Sequence, residues 1–325
     1  MNSSMSLLAD IGGTHARFAL TDGVSVLQAR ELKCADFPTI DAAISCYLQS
    51  VGGTTSLGRA ALAIAAPLFG DQVTMTNHHW SFSVSELRQR FSLQKLIVLN
   101  DFTALAMSLL HLPQNELRQV EGVANSDRTP IALLGAGTGL GVSGLIPSGD
   151  QWLPLQGEGG HVSLAPGTKR ELAVLDVLWT RFDHVSAERV LSGPGLENLY
   201  SAVCELEAVS VQPYSAADIT ERGMNGRCQL CAEALQLFCG LLGSVAGNLV
   251  LTLGATRGLY IGGGIVPRLG EYFLRSNFRS RFEGKGRYVN YLKPVPVYLI
   301  NSPQPALVGL IQSLSSPSPR VEASE

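Results

Sequence analysis

Charge is scarce in this chain. Asp, Glu, Lys and Arg make up 16% of 325 residues and nearly cancel, leaving −3. A nucleic-acid or membrane-surface protein needs a basic patch, so both partner classes are excluded as expectations. Cysteine is sparse: Cys34, Cys46, Cys204, Cys228, Cys231 and Cys239 are scattered and form no disulfide framework. The start, MNSSMSLLAD, lacks a basic segment followed by an apolar run and a cleavage site. A cytoplasmic protein with reduced thiols is therefore expected. No glycine turn ends in Gly-Lys-Ser/Thr, so there is no Walker A loop. The triple glycine Gly262-Gly263-Gly264 lacks the G-x-G-x-x-G spacing of a dinucleotide fold.

Long apolar runs are also lacking, with one exception. Leu237 to Gly254, LFCGLLGSVAGNLVLTLG, has the length of a membrane span. It carries Asn248, and Gly240, Gly243 and Gly247 recur at helical spacing. That pattern predicts a core helix pressed against another element, not a span.

What the chain has is apolar bulk, at 46%, and 34 glycines. Residues 6 to 33 alternate apolar runs with turns, as in a β-meander. Ile40–Leu48 reads as a helix, Ala60–Pro67 as a strand, Leu96–Leu99 as a buried strand and Thr103–Leu110 as a helix. Ser83, with Glu86 three residues later, caps a helix through Phe91. The order is that of an α/β protein. His111–Thr129 is polar and reads as a crossover, after which a strand from Pro130 restarts the pattern. Helices are expected at Arg170–Phe182, Ala187–Leu191, Gly195–Cys204, Arg227–Asn248 and Ala306–Ser313, and strands at Gly258–Ile261 and Val295–Ile300. The tail 315–325, rich in Ser and Pro, is expected to be disordered.

Three glycine turns follow apolar strands: Gly12-Gly13, Gly135 to Gly141, and Gly262 to Gly264. The first lies in Ala9-Asp10-Ile11-Gly12-Gly13-Thr14, which is either a plain hairpin or a turn whose amides cradle phosphate. A carboxylate such as Asp10 beside that turn suits a hydrated Mg²⁺. Three such turns, two carrying Thr (Thr14 and Thr138), suggest a nucleotide gripped from several sides. Asp101 follows a buried strand and is either a helix cap or a ligand at the sheet's carboxyl edge, with Asn100 able to share the capping. Glu158 and His161, on Gly157-Glu158-Gly159-Gly160-His161, are either part of a polar loop or hydrogen-bonding groups for a polyol. Glu188 is either a surface helix residue or a cleft residue. Cys228-Gln229-Leu230-Cys231 has zinc-like spacing but no second pair, and reads as two helical core thiols. Asn77-His78-His79-Trp80 reads as a structural loop or a minor contributor to the cleft rather than a metal pair, since adjacent strand residues face opposite ways.

On these motifs the chain resembles the bacterial ATP-dependent glucokinases of the enterobacterial type, within the actin–hexokinase–Hsp70 superfamily. They are ADIGGTHAR, MTNHHW, LNDFTALA, GAGTGLGVSGL, GEGGHVSLAP, HVSAERVLSGPGL and GGGIVPR, spread from Leu7 to about Leu310. The resemblance implies a two-domain actin-like, ribonuclease H-like α/β fold with a cleft between a small and a large domain. The small domain would be 1–110 plus 301–325, and the large domain 111–300. Hinges are expected near 111–130 and near 300, with domain closure on the sugar. The resemblance further implies transfer of the ATP γ-phosphoryl to the 6-hydroxyl of D-glucose. Asn100, Asp101, Glu158, His161 and Glu188 would hold the sugar, and Asp101 would be the base. Ala9, Asp10, Ile11, Gly12, Gly13 and Thr14, with Gly137 and Thr138, would bind phosphate. Gly262, Gly263 and Gly264 would lie near the adenosine. Mg²⁺ would arrive with ATP and meet Asp10 through water, with no direct protein ligand. A homodimer is also implied. The alternatives are a kinase for another hexose or an amino sugar, or a non-catalytic sugar or ATP sensor. Two positions depart from the family spelling: His15 stands in place of Asn, and Ser163-Leu164 in place of Asp-Phe. The Cys-rich zinc motif and helix-turn-helix extension of repressor-type relatives are not found, so that branch is not expected.

Overall fold

The computed structural model describes residues 5–52, 57–76 and 78–315. They divide into two compact units. One takes its residues from Met1–Pro113, Leu153–Gln156 and Ser302–Glu325, the other from Gln114–Trp152 and Gly157–Asn301.

The first unit opens with β1 (Ser6–Ile11), β2 (His15–Thr21), β3 (Val26–Lys33) and α1 (Ile40–Ser50). It continues with β4 (Arg59–Ile64), a small ladder of β5 (Gln72–Thr74) and β6 (Ser81–Ser83), α2 (Val84–Arg90), β7 (Lys95–Asn100) and α3 (Asp101–Ser108). The sheet order is β3-β2-β1-β4-β7. β2 lies antiparallel to β1 and β3, while β1, β4 and β7 run parallel. The parallel strands are apolar through their middles because both faces are covered, with polar residues such as Arg59, Lys95 and Asn100 at their ends and Asp10 near the end of β1. Leu7, Ala9, Ile11, Ala60, Leu62, Ile64, Leu96 and Val98 feed one core. Their alternates Leu8, Ala61, Ala63, Ile97 and Leu99 feed a second. Each fully buried Leu or Ile contributes about 1.5–3 kcal/mol. Ser83 accepts from the Glu86 amide and starts α2, as its spacing predicts.

The second unit runs β8 (Leu117–Glu121), β9 (Ile131–Ala136), β10 (Leu140–Ser148), the first half of β11 (Gln151–Pro154), whose Leu153 and Pro154 count with the first unit, α4 (Lys169–Trp179), α5 (Gly193–Leu206), α6 (Ala216–Met224) and α7 (Gln229–Leu253). Then come β12 (Gly258–Gly262), α8 (Ile265–Leu269), α9 (Glu271–Arg275), α10 (Phe278–Glu283), α11 (Val289–Leu292) and β13 (Val297–Ile300). The sheet order is β11-β10-β9-β12-β13-β8. α7 is the core helix. It is long and apolar enough to cross a membrane by composition, yet that stretch is largely buried within the protein. Gly240, Gly243 and Gly247 press against Asn277, Phe278 and Phe282, which is the close packing their spacing predicts. The chain ends its described part in the first unit with α12 (Pro305–Ser315), whose Leu307, Leu310 and Ile311 join the second core.

Four expectations change. The polar stretch 111–129 is not a bare crossover, since β8 lies within it and pairs antiparallel with β13. β8 is an edge strand with exposed Arg118, Gln119 and Glu121, so no apolar alternation marks it. Ala187–Leu191 is a turn, not a helix. Ser192 caps the next helix from outside by accepting from the Gly195 amide, which sets its start at Gly193. Cys228 is not inside a helix but caps α7. Ser315 closes α12, whereas residues 316–325 of the expected disordered tail, like Asn77, lie outside the described residues.

Candidate active site

In the first unit, register sets the site. Ile11 pairs with Ile64, and Ile64 pairs with Asn100. The first glycine turn and the Asn100-Asp101 pair therefore leave the same sheet edge, two strands or roughly 10 Å apart. This is the carboxyl edge of the parallel strands, where open α/β sheets bind ligands.

The first turn is a hairpin between β1 and β2. The Gly12 amide donates to the His15 carbonyl at 3.0 Å, and the Cys34 amide donates to the Thr14 carbonyl at 2.9 Å. The buried Cys34 thiol also donates to the Gly12 carbonyl at 3.4 Å. Thr14 is exposed, and Gly12 and Gly13 partly so. Asp10 lies opposite Arg17 in the ladder, with Oδ2 3.7 Å from Nη1. Arg17 Nε in turn donates to Glu31 Oε2 at 2.7 Å. Although 19% of the Asp10 side chain reaches solvent, burial pushes its carboxyl above the ordinary value, and the Arg17 guanidinium only partly opposes this. His15 stands beside the same network, 4.0 Å from Glu31, and its side chain is 43% exposed. Its ring is therefore on the strand after the turn. Glu31 escapes a sequence reading because its pairing with Arg17 depends on a register shift between β2 and β3.

Both Asn100 and Asp101 act at the start of α3. Asn100 is the N-cap, and its Oδ1 accepts from the amides of Phe102 at 2.9 Å and Thr103 at 3.2 Å. The Asn100 Nδ2 donates to the Ala66 carbonyl at 3.5 Å. Asp101 Oδ1 also accepts from the Phe102 amide at 2.9 Å. Because Asn100 takes the cap, Asp101 stands in the first turn with its carboxylate half-buried, beside the positive end of the helix.

The second unit gathers the rest. Gly135 of β9 pairs with Gly262 of β12, so the second and third glycine turns leave one sheet edge side by side. Gly263 has φ +78°, and a Cβ there would collide with the Ala136 carbonyl. The Gly137 amide donates to the Gly139 carbonyl, and the Gly193 amide donates to the Gly137 carbonyl, both at 2.8 Å. Thr138, Gly263 and Gly264 are exposed.

Glu188 reaches this turn. Its Oε2 accepts from the Leu140 amide at 2.8 Å, and its Oε1 lies 3.9 Å from His161 Nε2. A short antiparallel pairing brings the two loops together. The amides of Leu164, Ala187 and Glu188 donate to the carbonyls of Val185, Val162 and Gly160. The His161 ring and Glu158 are exposed. His184 Nε2 sits 2.9 Å from the His161 carbonyl and steadies the loop. Neither His184 nor Gly193 was among the residues singled out from sequence. Their part is structural support: the His184 ring and the Gly193 amide each meet a loop carbonyl, which only the tertiary structure reveals.

Among the described residues no three His, Cys, Asp or Glu side chains gather as a metal cage. Asp10 offers one carboxylate beside turn amides. One carboxylate with substrate phosphates and water is a donor set that Mg²⁺ accepts.

Comparison with known proteins adds the following. A family model described as Glucokinase matches residues 7–316. The chain is 52% identical over 312 residues to a glucokinase of Aromatoleum aromaticum, covering 95% of this chain and 94% of that one. It is 49% identical to a glucokinase of Paramagnetospirillum magneticum, covering 97% and 99%. The crystal structure of a glucokinase from an Antarctic psychrotroph matches with a TM-score of 0.87 at 38% identity, covering 96% and 99%.

Proposed function

The chain belongs to the glucokinase family, with its two-domain actin-like α/β fold, and from that premise we propose how its residues divide the work of phosphorylating D-glucose. The reaction carries the γ-phosphoryl of ATP to the sugar's 6-hydroxyl, giving glucose 6-phosphate and ADP.

The observation that carries this reading is the relation of Asn100 to Asp101. Asn100 satisfies the first amides of α3, and Asp101 remains in position at the sheet edge shared with the first glycine turn. Asp101 is the base that orients and deprotonates the 6-hydroxyl, a contribution of about 10²–10⁴ in rate. Glu158, His161 and Glu188 accept from and donate to the other hydroxyls, with Asn100 Nδ2 as a further donor. The Gly12-Gly13-Thr14 and Gly137-Thr138 turns present amides to phosphate, with Ala9 and Ile11 shaping the first. Gly262 to Gly264 lie near the adenosine. Phosphoryl transfer asks little covalent chemistry of a protein, so positioning and charge stabilisation dominate. Mg²⁺ arriving with ATP would supply charge neutralisation, and Asp10 would hold it through water. The proposed small domain, 1–110 with 301–325, answers to the first unit, and the proposed large domain, 111–300, to the second, which lacks Leu153–Gln156. Assembly as a homodimer and a cytoplasmic site of action complete the proposal, resting on family resemblance.

The test is a coupled assay of ADP release over a panel of hexoses and N-acyl amino sugars. The expected result is the highest kcat/KM on glucose. A higher value on an N-acyl amino sugar would overturn the substrate assignment, and absence of turnover on every sugar would favour a sensor.

A further inference from the structure

The Cys228-Gln229-Leu230-Cys231 motif plays no part in the kinase site, yet the fold gives it a specific form. Cys228 is the N-cap of the 25-residue α7, with extended backbone (φ −144°, ψ 114°). Cys231 is the third helical residue, and its amide donates to the Cys228 sulfur at 3.4 Å. Cys228 is half-buried, whereas Cys231 is fully buried. Helix neighbours at this spacing stand about 5–6 Å apart between Cβ atoms. A disulfide needs about 3.5–4.5 Å. A cap residue, whose backbone is not yet helical, can make that adjustment.

The surroundings separate the two thiols. Burial alone raises Cys228, but the Cys231 amide and thiol, the Leu230 amide and the Arg222 charge together bring it below the ordinary thiol value. Burial, reinforced by Cys228, pushes Cys231 up to about 12. Arg222 is held close, because its carbonyl accepts from the Cys228 amide at 3.3 Å and its guanidinium lies 4.3 Å over the Tyr214 ring. A more acidic, more accessible first cysteine and a buried second one are the division needed for thiol–disulfide exchange.

We infer that Cys228 and Cys231 form a thiol–disulfide exchange site whose substrate is a low-molecular-weight disulfide such as oxidised glutathione. The Cys228 thiolate attacks one sulfur of that disulfide. The S–S bond breaks, and one glutathione leaves and takes up a proton. Cys231 then loses its proton and attacks the Cys228 sulfur, releasing the second glutathione. The two protein thiols are oxidised to one disulfide, and one small disulfide is reduced to two thiols.

The experiment uses the full chain carrying Cys46→Ser, which removes the exposed cysteine on α1. The chain is incubated with oxidised glutathione, quenched with acid, alkylated, digested and mapped by mass spectrometry. The expected result is loss of alkylation at Cys228 and Cys231 together, with a bond between them. With Cys231→Ser added, one glutathionyl group accumulates at Cys228, and with Cys228→Ser neither product forms. Full alkylation of both cysteines, or a disulfide that includes Cys204, would overturn the site. So would a Cys231→Ser chain of native circular dichroism that carries no adduct, or glutathionylation of Cys231 in Cys228→Ser. Mapping the chain with both cysteines intact decides the question if either variant fails to fold.

Discussion

Glu188 occupies the space that a side chain at Gly139 would take, for a Cβ there would lie 2.5 Å from Glu188 Oε2. The same oxygen accepts from the Leu140 amide. A residue assigned to the sugar is therefore seated against a turn assigned to phosphate. Gly139→Ala asks for no unusual backbone, so its effect falls on the Glu188 carboxylate. We expect KM for glucose to rise and kcat/KM to fall on the order of 10²-fold, since displacements near 1 Å cost that much. Steady-state kinetics on glucose would check this, and an unchanged KM would break the link.

Asp101→Asn keeps the size of the side chain and loses the base. Sugar binding should stay within an order of magnitude while turnover drops about 10²–10⁴-fold. Calorimetry of glucose binding beside the coupled assay separates the two. Retained turnover would remove Asp101 from the base role.

Asp10 is held with a carboxyl pKa raised above 3.8. The folded state therefore binds more protons than the unfolded chain between 3.8 and the raised value. Stability falls as pH rises through that window. Asp10→Asn has no such proton to lose, and Arg17 keeps Glu31 as partner at 2.7 Å. The variant should melt higher than the parent at neutral pH, with the gap closing below 3.8, and it should lose activity with Mg-ATP. Melting curves across pH test the sign.

Glu171 is 2% exposed and pairs with Arg281 through two hydrogen bonds, one of them from Arg281 Nη2 to Oε2 at 3.0 Å. Removing one partner leaves a buried charge unpaired. Arg281→Met should destabilise the protein by about 3–5 kcal/mol, read from denaturant unfolding. A loss below ~1 kcal/mol would mean that water reaches Glu171.

Gly309 of α12 faces the Ala104 carbonyl of α3 so closely that a Cβ cannot enter without moving one helix. α3 begins at Asp101, so that movement bears on the proposed base. Gly309→Ala should cost about 1–3 kcal/mol and lower kcat more than it raises KM. Equal kcat in a destabilised variant would show that the two helices separate without shifting the base.

Much of this protein was legible residue by residue. The alternation of apolar runs and glycine turns specified an α/β chain, because buried parallel strands need apolar side chains on both faces. Ser83 with Glu86, and Gly240, Gly243 and Gly247, encoded a cap and a close helix contact through local spacing alone. Local spacing could not assign Asn100 and Asp101, since either side chain can reach the same amides. The fold decided by placing Asn100 at the cap and Asp101 inside the first turn. β8 was hidden because an exposed edge strand carries no apolar alternation and is made a strand only by β13. The helix expected at Ala187–Leu191 is a turn because the Ala187 and Glu188 amides are taken by the 157–164 loop and the Ser192 hydroxyl donates to the Glu188 carbonyl. Glu31 beside Arg17, and Glu188 against Gly139, join residues 14 and 49 positions apart. Such pairings depend on register and packing, which no sequence window contains.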